Sequence, residues 1–292
     1  MKMHNFKNVL KDKEGNIFML PSILGVICFF VIPFIIILWY SCLDDPINKN
    51  FVFIDNYITL FKNNAFKLAV KNTFLFTGIS VPLLMTLSLV IALLIDKINF
   101  GRKLFNSFLL STLVIPVASI ALVWKTIFHN NGVLNNIFET FGFQTIDWLK
   151  SDWGILVAIL LFLWKNIGYI MVLFIAALKA IPKQIIEAAQ IDGASSTRIF
   201  FRIKLAYLSP TILFGLIISI INSFKVFREV YILTGDYPYE NLYLLQHFIN
   251  NTFRSLDYQK LSAAAVLMCL FISLIILLLF KVDSVLGRDL EG

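Results

Sequence analysis

Five charged side chains, Glu187, Asp192, Arg198, Arg202 and Lys204, break up residues 187–205 (EAAQIDGASSTRIFFRIKL) between two long apolar runs. Their spacing holds no catalytic set. It offers ion pairing and a hinge. Pro182 suits a first helical position, and Gly193 suits the left-handed residue that ends a helix. Ser195 or Ser196 then caps a second helix running towards Pro210. In the first helix Ile181, Ile185 and Ala189 share one face with Ala188 beside it, while Lys183, Glu187 and Gln190 share another. Glu187 stands in the C-terminal half, where the helix dipole disfavours a carboxylate. Its pairing with Lys183 has the weaker orientation as well. Local physics gives Glu187 little reason to be there, and a basic residue on a partner would supply one. The plainer alternative is a solvated loop carboxylate.

A second candidate is Lys165 in LFLWKNIGY, near the middle of an apolar run. A charge at that depth costs about 3 kcal/mol or more, so it must face protein or water. It either lines a pathway, or snorkels or pairs with a helix of a partner; no other apolar run holds an acidic residue. Asn166, Tyr169 and Asn222 are polar groups in the same runs. They are candidates for a substrate path, although interhelical hydrogen bonding is the commoner use of such residues. Other chemistry is missing. There is no GxxxxGK[ST] phosphate loop, no HExxH and no GxSxG, and His4, His129 and His247 are far apart. Cys28, Cys42 and Cys269 have no metal-ligand spacing, and a disulfide framework is not expected. The reading is no enzyme, no metal and no cofactor bound by this chain, so uphill movement would need energy from elsewhere.

The elements that must position these residues are membrane helices. The 292 residues are 59% hydrophobic and 15% charged, with a mean hydropathy of +0.82, whereas soluble domains are about a quarter charged. Six stretches, about 17–40, 72–95, 104–124, 155–178, 207–224 and 261–280, approach the roughly 20 residues that span a bilayer. β-barrel strands would be short and alternating. The expected fold class is an all-α polytopic membrane protein with six transmembrane helices. Fourteen of the 25 Lys and Arg fall in the N-terminal tail (1–16), the 96–103 turn, the 179–206 loop, and Lys281 with the C-terminal tail (282–292). By the positive-inside rule both termini and the 179–206 loop are cytoplasmic. The net charge of +7 reflects this bias, with lipid headgroups rather than nucleic acid as the secondary partner. The first span is too long for a signal-peptide core and is kept as an anchor. Residues around Phe66 and Val70 suit a helix lying at the interface.

The polar stretch resembles a known signature. EAA, three residues, Gly193, nine residues, Ile203, one residue and Leu205 is similar to the pattern of permease subunits of binding-protein-dependent ABC importers. The family form ends in Leu-Pro; here Ala206 follows Leu205, although Pro210 matches. Asn56-Tyr57, Asn72-Thr73, Pro82, Pro116, Trp124, Phe128, Gly132, Asn135, Trp164, Gly168 and Leu233-Thr234-Gly235 extend the resemblance over most of the chain. They point to the carbohydrate-uptake group, on its MalF-like side. Where that group commonly has Gly-Gly-Pro, this chain has Gly235-Asp236-Tyr237-Pro238.

The resemblance implies a type I ABC importer permease fold over residues 17–281, in a bacterial cytoplasmic membrane. It implies a coupling helix that docks in a cytoplasmic ATPase. Glu187 would be its ionic contact, Ala188 and Ala189 its close-packing face and Gly193 its turn, with Asp192 also among the docking residues. Implied partners are a second, MalG-like permease subunit, an ATPase dimer using ATP and Mg, and an extracytoplasmic solute-binding protein. A sugar or oligosaccharide is the implied cargo. Alternatives are a polyol or glycerol-phosphate compound carried by the same machinery, or a self-contained secondary transporter.

Overall fold

The computed structural model describes residues 13–45, 48–97, 111–112 and 115–288, with side chains from 19 to 282 apart from Lys97. Residues 1–12, most of the 96–103 turn, the start of the expected third span and residues 289–292 lie outside the described residues. In chain order the helices are α1 (Lys13–Val26), α2 (Ile32–Tyr40), α3 (Asp55–Lys62), α4 (Asn64–Lys97), α5 (Val117–Ile127), α6 (Val133–Thr140) and α7 (Gly154–Ala180). They continue with α8 (Lys183–Ile191), α9 (Ser196–Ile199), α10 (Leu205–Phe224), α11 (Phe227–Thr234), α12 (Leu245–Arg254) and α13 (Tyr258–Arg288). Among the described residues the only strand-like pairing is an isolated bridge between Leu43 and Phe51. Among the described residues five helical runs are long and apolar enough to cross a membrane: Met19–Tyr40, Asn64–Asp96, Gly154–Ala180, Ser196–Thr234 and Tyr258–Val282. Val117–Ile127 is a shorter apolar helix.

The chain divides into two compact units, one of residues 1–62 with 252–269 and one of residues 63–251 with 270–292. In the first unit a π turn, Ile27–Val31, joins α1 to α2. Pro33 follows it at the start of α2. A proline ring crowds the carbonyl four residues earlier and offers no N–H, and the wider turn accommodates both. Asn56 closes the loop after α2 by donating from Nδ2 to the carbonyls of Ser41 (2.9 Å) and Leu43 (2.7 Å). The Tyr57 and Ser41 hydroxyls lie 2.7 Å apart. Asp257 caps the start of α13, its Oδ1 accepting from Lys260 N at 3.1 Å.

In the second unit α4, α7 and α10 pack on one another. Lipid gives apolar helices little reason to associate, so close approach and interhelical hydrogen bonds hold them. Gly215 admits Met85, whose Cε would lie 3.0 Å from an added Cβ. The Ser88 hydroxyl lies 3.3 Å from the Ile167 carbonyl. Those of Thr77 and Ser223 lie 2.9 Å apart, and Phe76 meets Phe162 edge-on.

The interfacial helix expected around Phe66 is instead the opening of α4. Asn63 Oδ1 accepts from Phe66 N at 3.1 Å, the geometry of an N-cap. Phe66 is buried edge-on against Phe248 of α12. Asn72 and Thr73 of α4 then fix the segment that leads into α12. Asn72 Nδ2 donates to the carbonyls of Glu240 and Tyr243, and Thr73 Oγ1 accepts from Leu245 N at 2.8 Å. Asn135 plays the same part between α5 and α7. Its Oδ1 accepts from Ile146 N (3.1 Å) and Trp148 Nε1 (3.0 Å), and its Nδ2 donates to the carbonyls of Asn130 and Ile146.

Candidate functional site

The polar stretch forms an exposed hinge. Pro182 is the N-cap of α8 rather than its first residue, and no residue of α8 is buried. Its end is a Schellman motif: Gly193 N donates to Gln190 O at 3.0 Å and Ala194 N to Ala189 O at 2.9 Å. Gly193 has φ +76°, a conformation that side chains with a Cβ adopt at a cost. Ser195 then caps the next helix, its Oγ accepting from Arg198 N at 3.3 Å. That helix runs on past Pro210. It runs through a π turn, Phe200–Lys204, into α10, with Ala206 just beyond the turn and Pro210 inside the helix. The hinge is thus covalently continuous with a candidate span, Ser196–Thr234.

Glu187, Ala188, Asp192 and Gly193 are exposed, and Ala189 is half-buried. Ile185 and Ile191 are exposed too, Ile191 at 85%. A nine-residue helix that fully buries none of its side chains gains little from its own chain. Docking against something else would supply the burial that ordinarily stabilises so short a helix.

A second feature lies along α7. A cavity of about 640 Å³ is lined by Lys165, Asn166, Asn222, Lys225, Arg228 and Glu229 among others. Three of the four residues assigned to a path from sequence therefore share one cavity; Tyr169 does not line it. Asn222 Nδ2 donates to Asn166 Oδ1 at 3.2 Å, and Asn166 Nδ2 to the Phe162 carbonyl at 2.8 Å. Lys165 forms an ion pair with Glu229. The glutamate is buried, while the lysine side chain keeps 28% exposure to the cavity. Pairing lowers the cost of a charge at span depth.

Sequence reasoning finds no acidic partner for Lys165 because it ends the fifth span at Phe224. The structure shows a short break at Lys225 and Val226, then α11, which buries Glu229, Val230 and Leu233. α11 packs on α5. The signal was present in KVFREVYIL: Val226, Val230 and Leu233 repeat at helical spacing with a single carboxylate among them.

Against α11 sits His247 of α12, fully buried. Its Nδ1 accepts from Leu244 N at 3.3 Å, and its ring meets Phe227 edge-on, 4.7 Å between centroids. Burial pushes its pKa down to about 4, against a smaller upward pull from Asp236. Between about 6.5 and 4 the unfolded chain takes up this proton and the folded one does not, so stability is fully present above that window and falls as pH drops through it. The loss reaches about 3 kcal/mol. Thermal melts in detergent are expected to shift down between pH 7.5 and pH 5, and His247→Gln to remove most of that His247-dependent part. An identical pH shift in the variant would show that another group is responsible.

An exposed hinge joined to a candidate span, and an ion-paired polar cavity among packed helices, belong to a chain with several helices long and apolar enough to cross a membrane. Comparison with known proteins makes the class specific. Residues 89–291 match the family described as "Binding-protein-dependent transport system inner membrane component". The probable ABC transporter permease protein YesP of Bacillus subtilis (strain 168) is 32% identical over 97% of this chain and 94% of its own length. The trehalose/maltose transport system permease protein MalF of Thermococcus litoralis is 30% identical over 80% of this chain and 82% of its own. A crystal structure of bacterial alginate ABC transporter in complex with alginate pentasaccharide-bound periplasmic protein has a chain that superposes with a TM-score of 0.83. That chain is 23% identical, with 97% of this chain and 98% of that one covered. This likeness establishes the type I ABC importer permease fold. The chain belongs to the binding-protein-dependent transport system inner membrane component family, as a multi-pass permease of the cytoplasmic membrane.

Proposed function

We propose that this chain is one transmembrane subunit of an ATP-driven importer for a sugar or oligosaccharide, driven by a separate ATPase through Glu187, Ala188, Ala189, Asp192 and Gly193. The observation that carries the coupling role is α8, which has no buried residue and a glycine-capped end, and is continuous with the span that follows. The carbohydrate reading is supported by the name of the MalF relative. In this reading ATP and Mg are bound by an ATPase dimer, a second permease subunit completes the pathway, and an extracytoplasmic protein delivers the solute. Lys165, Asn166 and Asn222 line part of the path, and Tyr169 lies outside their cavity. Both termini and α8 face the cytoplasm.

Glu187→Lys tests this reading, because an exposed charge reversal leaves the fold alone and opposes a basic contact on the partner. The variant is expected to insert normally but to lose roughly tenfold or more in retention of the ATPase on co-purification, the scale of one lost charged contact. ATP-driven uptake should fall with it. Full retention and normal uptake would remove Glu187 from the coupling role. A chain that transports alone, with no ATPase bound, would overturn the whole reading.

A further inference from the structure

We infer that the Lys165–Glu229 cavity is an anion subsite, and that the imported solute carries a carboxylate or a phosphate. This rests on the solute-import reading above and narrows its substrate class. Three cations, Lys165, Lys225 and Arg228, and one carboxylate, Glu229, line the cavity. The carboxylate is already committed, since Glu229 pairs with Lys165. The side chains of Lys225 and Arg228 are exposed and make no ion pair among the described residues. The cavity is left with an uncompensated positive charge, and such a pocket with low-dielectric walls concentrates anions.

The positions of these cations argue for a solute. Lys225 lies in the break between α10 and α11 and Arg228 three residues on in the first turn of α11, so both reach the cavity from the segment that carries Glu229. The same wall presents the Asn222 amide, whose Nδ2 donates to Asn166 Oδ1 and whose own Oδ1 is left to accept from a hydroxyl. Cations for an acidic group beside an amide oxygen for a hydroxyl are what an acidic saccharide or a sugar phosphate requires. A lipid headgroup would use the cations and leave the amide idle. At about 640 Å³ the cavity has the size of sites that hold a small ligand.

The test uses the assembled permease–ATPase complex in nanodiscs of phosphatidylcholine, without the binding protein, so that its selectivity does not intervene. Calorimetry compares digalacturonate with galactobiose, which share a disaccharide frame and differ by carboxylates, and adds glycerol 3-phosphate as the phosphate arm. At low salt at least one anion is expected to bind roughly tenfold or more tightly than galactobiose, the scale of one charge-assisted contact. The arm that does so says whether carboxylate or phosphate is read. In Lys225→Gln/Arg228→Gln that ratio is expected to fall about tenfold, whereas Lys225→Arg/Arg228→Lys keeps it. Equal affinity for anionic and neutral probes, or a preference that survives both glutamines, overturns the inference and leaves the import reading standing. The same holds if the glutamine variant changes activity only when anionic lipid is added, which would assign the cations to headgroups. Absence of ATP-driven uptake of any saccharide by the complete importer would instead remove the reading beneath it.

Discussion

Glu229→Ala is expected to cost the protein more than any other single change, lowering its thermal midpoint in detergent and reducing uptake by about tenfold or more. The glutamate is buried and holds the charge of Lys165 on α7. Removing it strands a lysine along an apolar span. Breaking a buried pair from one side ordinarily costs about 3–5 kcal/mol. Here the lower end applies, because the lysine keeps some exposure and can recover water through the cavity. Lys165→Met is the complementary single change. The double variant Lys165→Met/Glu229→Leu is expected to recover part of the lost stability while transport stays low. A double-mutant cycle on the melting data should give a coupling energy of about 1 kcal/mol or more. Additive single effects would show that the two residues sit together without depending on each other.

Much of the architecture was legible because lipid writes itself plainly into sequence. Long apolar runs announced the spans, and the one run broken by Glu187, Asp192, Arg198, Arg202 and Lys204 announced the hinge. Gly193 was readable too, since a glycine after a short amphipathic run is a local signal and its positive φ is set by local geometry. What could not be read depends on partners distant in the chain. Asn72 and Asn135 are merely polar residues in sequence; their meaning is the backbone carbonyls they satisfy, at Glu240 and Tyr243 in one case and at Asn130 and Ile146 in the other. Glu229 was hidden by a boundary. Composition changes from apolar to mixed at Lys225, and a hydropathy reading stops there, but a helix can break for two residues and resume with its apolar face still inward. The π turn at Phe200–Lys204 was invisible for a related reason. It is an adjustment of helical register just before the proline-bearing α10, and no residue type marks it. Ala206, which departs from the family's proline, therefore follows directly on a stretch already widened by other means.

Gly193→Val is expected to disconnect ATP hydrolysis from uptake without unfolding the membrane helices. Apart from its chain neighbours no heavy atom lies within 4 Å of where a Cβ at this position would be, so the penalty is chiefly one of backbone. A β-branched residue held at φ +76° costs about 1–2 kcal/mol or somewhat more. The chain can escape that cost only by leaving the left-handed conformation. Doing so breaks the Gly193 N to Gln190 O and Ala194 N to Ala189 O bonds that end α8 and changes the direction in which the chain enters α9. A short exposed helix has few other contacts to hold its angle, so the strain falls on the joint through which force would pass. In the complete importer, solute-loaded binding protein should stimulate ATP hydrolysis by the Val variant several-fold less than in the parent, with uptake falling in proportion. Gly193→Asn supplies the control: asparagine tolerates the left-handed region far better than valine, and stimulation should be largely retained. If valine and asparagine were equally harmful, side-chain bulk against the docked partner would be the cause instead of backbone strain. If valine left stimulation unchanged, the joint would carry no force.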